Sequence, residues 1–264
     1  MFKKVLEGRE KTLGNEDLDT LEAVNNLANI SMNQGNYSEA FDLYERLANG
    51  MLAKLTERDP GTLEAFNNLA IVWSVLRKLG IKSDDTSIST SFTDSSRYKS
   101  VMLQDLYRNV YANRKVYIGD DHPDTHKTAL GYADLLHDMQ VLGFAKELYE
   151  KVLEAREATH GPTHSDVLTV VDKLANLLYD QKKYDEAKEM YQRVMDGREA
   201  VLGKIHIDTL STSNNFANLL LHQGEFVRAR DMYAVSLKGY ERELGANHPE
   251  TLKGEYLTIL LQPF

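Results

Sequence analysis

Asparagine and aspartate recur along this chain at fixed intervals, in helical stretches that gain nothing from them. Asn25, Asn67, Asp172 and Asn214 share one register with Leu130; Asn29, Asp134, Asn176 and Asn218 share a second register, four residues later, with Ile71. Asn in an exposed helix costs roughly half a kcal/mol relative to Ala, so helix stability does not account for the series. A carboxamide both donates and accepts, and a row of them can hold the backbone of an extended peptide whatever its sequence. Duplication of a tolerated residue, or bridging between neighbouring helices, is the competing reading. The histidines are the other candidates. His122, His164, His206 and His248 recur every 42 residues. Copies one repeat apart lie on the order of 10 Å from one another, too far to share a metal bound at ~2 Å. The densest group, His122, Asp124 and His126 beside Asp120 and Asp121, offers two ligands from one loop and no convergent third. There is no phosphate loop ending in GK[ST], no HExxH and no GxSxG elbow, and no nucleophile–base–orienter set. We therefore expect no catalytic residues, no metal and no cofactor.

These residues are positioned by a repeat. Thr20, Thr62, Thr125, Val167, Thr209 and Thr251 are separated by 42, 63, 42, 42 and 42 residues, and Phe2, Tyr44, Tyr107, Tyr149, Tyr191 and Tyr233 by the same series. Gly14, Gly119, Gly161, Gly203 and Gly245 form a third marker, with Thr56 in the remaining place. The period is 42, and one unit carries an insertion of 21 residues. Within a unit the apolar spacing is helical, as in Leu21, Val24, Leu27 and Ala28, then Tyr37, Ala40, Phe41 and Tyr44. A turn at Asn33–Asn36 separates the two segments, and recurring alanines (Ala28, Ala70, Ala133, Ala175, Ala217) allow close helix approach. Neither helix buries its face alone, so successive hairpins must stack. The expected organisation is all-α, a single array over 1–264 with repeat phases starting near Asp17, Asp59, His122, His164, His206 and His248. The insertion at 80–99 reads as a flexible loop, because residues 83–96 hold six Ser, three Thr and three Asp.

Helix pairs with this alanine and tyrosine pattern resemble tetratricopeptide repeats. The 42-residue unit looks like the kinesin light chain type, most closely in KELYEKVLEAREATHGPTHSD (146–166) and EMYQRVMDGREAVLGKIHID (189–208). The resemblance implies a right-handed α-solenoid of stacked antiparallel helix pairs (the tetratricopeptide superhelix) whose first helices line the concave surface. It also implies a non-catalytic scaffold or adaptor, with Asn25, Asn29, Asn67, Asp134, Asp172, Asn176, Asn214 and Asn218 facing a peptide-binding groove. A cargo adaptor of a microtubule motor is the sharper version. The segment by which kinesin light chains join the motor chain is not present, so motor association is not carried over. The alternative is a regulatory repeat region of a larger multidomain protein.

Composition agrees with this class. The formal charge is −9, which disfavours nucleic acid and anionic lipid, since both require basic charge on the protein. The absence of cysteine excludes disulfides, a thiol nucleophile and thiolate-bound metal. No apolar run approaches the ~20 residues of a membrane span, and the charged N-terminus is unlike a signal peptide, so a cytoplasmic protein is expected. In the expected groove the companions are Glu22, Glu64, Asp134, Asp138, Asp172 and Asp180, with Lys127 and Lys173 the main exceptions. The expected partner is thus a neutral or basic peptide segment, with Trp73, Tyr132 or Tyr179 giving selectivity. Thr251–Phe264 reads as a first-type helix without its partner, through which self-association is open.

Overall fold

The structure, a computed structural model, describes residues 2–56, 58–79, 96–252 and 254. Of the expected insertion at 80–99, residues 80–95 lie outside the described residues, as does 255–264, the greater part of the expected C-terminal helix. The described residues form helices and connectors with no strand: α1 (Phe2–Leu13), α2 (Leu18–Asn33), α3 (Tyr37–Lys54), α4 (Pro60–Lys78), α5 (Ser96–Tyr117), α6 (Pro123–Asp138), α7 (Leu142–His160), α8 (Ser165–Asp180), α9 (Tyr184–Val201), α10 (Ile207–His222) and α11 (Phe226–Leu244).

The chain divides into two compact units, 1–139 and 140–264. In the first, each of α1 to α6 packs on the next in sequence, and α4 also touches α6; in the second, α7 to α11 do the same, and α8 also touches α10. Both units are therefore stacks of antiparallel helix pairs in which the first helix of one pair meets the first helix of the next. The apolar register read from the sequence forms the core. Leu21, Val24, Ala28, Phe41 and Tyr44 are buried in the first unit, and Leu168, Val171, Ala175 and Tyr191 in the second. Close approach is achieved by glycine on the second helix. A Cβ on Gly50, Gly197 or Gly239 would come within 3 Å of Leu21, Leu168 or Leu210 respectively.

The repeat markers are structural fasteners. Thr125 Oγ1 donates to the Gly119 carbonyl at 2.7 Å, Thr209 to Gly203 at 2.9 Å and Thr251 to Gly245 at 2.9 Å. The threonine and glycine markers are thus bonded to each other across these three connectors, where the glycine has a positive φ between 89° and 101°. The recurring histidines are helix N-caps: Nδ1 of His122, His164 and His206 accepts the backbone N–H of Asp124, Asp166 and Asp208 at 3.1, 3.2 and 3.2 Å. Asp17 and Asp59 cap α2 and α4 in the same way. A neutral imidazole with an unprotonated Nδ1 thus serves as a cap acceptor, the role Asp and Ser usually fill.

Candidate functional site

The structure separates the two Asn/Asp registers. The first faces the neighbouring repeat. Asn67 is fully buried, and its Oδ1 accepts from Thr128 Oγ1 at 3.0 Å. Asp172 accepts from Thr212 Oγ1 at 3.1 Å and pairs with Arg198 at 3.3 Å. Burial pushes the Asp172 carboxyl above its ordinary value despite the Arg198 guanidinium. Asn25 and Asn214 occupy the same register, and the Oδ1 of each is buried without a hydrogen-bond partner. Asn67 and Asp172 therefore join repeats to one another and are not presented to a groove. This is the bridging arrangement that competed with groove binding in the sequence.

The second register is held at the surface by tyrosine. Tyr44 donates its hydroxyl proton to Asn29 Oδ1 at 2.6 Å, Tyr191 to Asn176 at 2.6 Å and Tyr233 to Asn218 at 2.5 Å. The tyrosines are buried and the three asparagines are not. Burial raises each phenol, Tyr233 to about 12, so each remains a proton donor at neutral pH. The acceptor end of each carboxamide is committed to the phenol, and the Nδ2 end is what the side chain offers outward. Asp134, in the same register on α6, is partly exposed. In the second unit Asn176 and Asn218 meet at a hollow of about 210 Å³ that Tyr179, Asp180, Tyr191 and Asn215 also line. Tyr179 lies 5.8 Å from Tyr184 and 5.4 Å from His222 by ring centroid, so an aromatic cluster stands at one rim.

The expected selectivity residues fare unequally. Tyr132 is 2% exposed and stacks on Tyr107 at 6.1 Å, so it is core. Trp73 is half-buried, edge-on to Phe41. Tyr179 lines the hollow between Asn176 and Asn218. The acidic companions are also largely neutralised: Glu22 pairs with Arg9, Glu64 with Arg114 and Lys127, Asp138 with Arg77 and Lys78, and Asp172 with Arg198.

One recurring arginine was given no role by the sequence pattern. Arg9, Arg114, Arg156 and Arg198 share the 42-residue register, and each donates to the backbone carbonyl ten residues on, at Asp19, Asp124, Asp166 and Asp208. Arg114 also donates to Thr128 Oγ1 at 2.9 Å and to Glu64 at 2.5 Å, and Arg198 also reaches Thr212 Oγ1. The guanidinium fork matches these several acceptors at once. Its periodicity, equal to that of the tyrosines, was the signal available.

Sequence profiles of the tetratricopeptide repeat match residues 124–200 and 165–242, and a second such profile matches 20–48, together more than half of the chain. The chain belongs to the tetratricopeptide repeat family, whose members are generally non-catalytic interaction scaffolds. Similar solved structures include BtubC (BKLC) from P. vanneervenii, at TM-score 0.67 and 16% identity over 94% of this chain and 91% of that one. The nearly identical TPR-like repeats of a Podosopora anserina protein assigned to the kinesin light chains match at TM-score 0.64 and 17% identity, over 85% of this chain and 96% of that one. Pseudomonas aeruginosa pilF matches at TM-score 0.53 and 16% identity, over 91% and 88%. These structural likenesses show a shared fold. No curated protein matches the sequence. Among the described residues no helix is long and apolar enough to cross a membrane, and no group of three or more metal-ligating side chains occurs.

Proposed function

We propose that the chain is a scaffold or adaptor that holds an extended peptide segment of a partner protein across Asn176 and Asn218, with Asn29 in the equivalent place in the first unit. The recurring tyrosine–asparagine bond carries this reading. A buried phenol orients a surface carboxamide so that its N–H donors face outward, and the same device appears three times. Such donors suit peptide carbonyl oxygens irrespective of side chains. Tyr179 and Asp180 beside the asparagines favour a neutral or basic segment. The protein acts in the cytoplasm. In its sharper form the partner is cargo of a microtubule motor, a reading supported by the fold shared with a kinesin light chain repeat domain.

The test begins with selection of a binding peptide from a random display library on the intact protein. Asn176→Ala/Asn218→Ala removes two donor sites at about 1 kcal/mol each, so the selected peptide should bind roughly tenfold to thirtyfold more weakly in calorimetry. A version carrying Lys should bind more tightly than one carrying Glu at the same position. Unchanged affinity in the double variant, or tighter binding of the acidic version, overturns the proposal.

A further inference from the structure

In the second unit a hollow of about 440 Å³ lies where α10 meets the end of α11 and the segment leading to Glu250. Its lining includes Ser211, Asn214, Asn215, Tyr240, His248 and Glu250. Asn214 is 7% exposed, and among the described residues its Oδ1 meets no donor. A buried carbonyl oxygen left without a partner is costly, and its persistence in a polar, open hollow marks a place for a ligand that donates.

The preceding repeat shows which donor fits. By the 42-residue register, Asn214 corresponds to Asp172, Tyr240 to Arg198, Glu250 to Asp208 and Gly254 to Thr212. One repeat earlier, the Arg198 guanidinium donates to the Asp172 carboxylate, the Asp208 carbonyl and the Thr212 hydroxyl. In the first unit Arg114 makes the matching bonds to the Asp124 carbonyl and to Thr128, which passes its own proton on to Asn67. At the last junction the cation is replaced by Tyr240, which lines the hollow together with Ser211, and the threonine is replaced by glycine. Two acceptors matching those of the internal arginine remain, the Asn214 side-chain carbonyl and the Glu250 backbone carbonyl, while the arginine and the threonine have been replaced. The Glu250 carboxylate adds negative charge, and no lysine or arginine is among the described lining residues.

We propose that this hollow receives an arginine side chain of the bound partner, its guanidinium donating to Asn214 Oδ1 and to the Glu250 backbone carbonyl, as Arg198 does to the Asp172 carboxylate and the Asp208 carbonyl one repeat earlier, with the Glu250 carboxylate balancing its charge. The planar fork supplies several donors in fixed directions, whereas an ammonium or a neutral urea group does not reproduce both the charge and the geometry. Asn215 lines both this hollow and the one shared by Asn176 and Asn218, so the two adjoin. In this respect the inference rests on the peptide-binding reading, and it places the arginine beside the segment those asparagines hold.

The probe is N-acetyl-arginine N-methylamide, compared with its citrulline and lysine counterparts in an NMR titration of the intact protein that follows the side-chain amides of Asn214 and Asn215. The arginine probe should shift both signals saturably, and the citrulline probe should bind at least tenfold more weakly. Asn214→Leu, which removes the unpartnered carbonyl, should abolish the response while leaving the melting temperature unchanged or higher. Tyr240→Arg should block the site from within, and should it fail to fold, Glu250→Gln should weaken the arginine probe about tenfold. Equal response to citrulline, or full response in Asn214→Leu, overturns the inference. The two readings fail separately. Asn176→Ala/Asn218→Ala must leave the small probe's binding intact if the hollow is a site of its own, whereas a selected peptide that loses nothing on Arg-to-citrulline exchange contradicts the arginine site alone.

Discussion

Arg114 and Arg198 stand in the same register and reach the same kind of carbonyl, yet they are neutralised differently. Arg114 is 2% exposed and faces Glu64, with the neutral Asn67 completing the chain of bonds; Arg198 faces Asp172 directly. A buried charge is tolerated only while paired, so removing one partner is far more damaging than removing both. Arg198→Ala should destabilise the second unit by about 3–5 kcal/mol, and Arg198→Met combined with Asp172→Leu should recover most of that loss. Urea unfolding of the two variants checks this. Acid acts at Glu64. Burial pushes its carboxyl up, but Arg114 and Lys127 outweigh burial and hold it below the ordinary value of 4.5. A depressed carboxylate stabilises the fold above the unfolded-state pKa, and that stabilisation is lost as pH falls through the folded-state value. Glu64→Gln should therefore be less stable than the parent near pH 7, and the gap should close below about pH 4.5 in denaturation followed by circular dichroism. A gap that stays constant with pH contradicts the assignment.

At the scale of the helix pair, the turn between first and second helices offers a clean test. Gly35 and Gly224 end their helices with φ of 76° and 78°, the left-handed conformation glycine adopts without cost. In the same register Gln140 and Lys182 are forced to φ 61°. Lys182→Gly should raise stability by about 1 kcal/mol, read as a higher urea midpoint with an unchanged slope. Gly224→Ala should lower it. The paired helices were legible in the sequence because apolar spacing and the Thr, Tyr and Gly markers each report a contact that recurs among the repeats. The roles of the polar positions were less so. Asn67 and Asn176 differ by a few residues in register, yet one is sealed against Thr128 and the other is held outward by Tyr191. That difference depends on what the adjacent helix supplies, and a helical wheel of one helix alone does not contain it. Histidine as an N-cap was hidden for a related reason: the cap needs only an acceptor aimed at the second N–H, and imidazole seldom fills that place.

Across the whole molecule, the repeats share one plan and differ in how their junctions are closed. Where Arg and Thr are both present, the side-chain oxygen of Asn67 or Asp172 between them accepts a hydrogen bond; where Met51 and Ala65, or Tyr240 and Gly254, replace them, Asn25 and Asn214 keep an unpartnered oxygen. Nearest-neighbour coupling dominates the stability of stacked repeats, so a weak junction lowers the stability of its own neighbourhood first. Amide hydrogen exchange should accordingly be slower in α8–α10, joined by Arg198 and Thr212, than in α11. The central claim is that carboxamides fixed by buried tyrosines are the donors that meet a partner's backbone. Its most direct test is an NMR titration of the intact protein with a library-selected peptide, reading the side-chain amide signals of Asn176, Asn218 and Asn67 together. The account predicts that the first two shift at saturation while Asn67, sealed in its junction, does not move. Saturable binding with Asn176 and Asn218 both unmoved would contradict it.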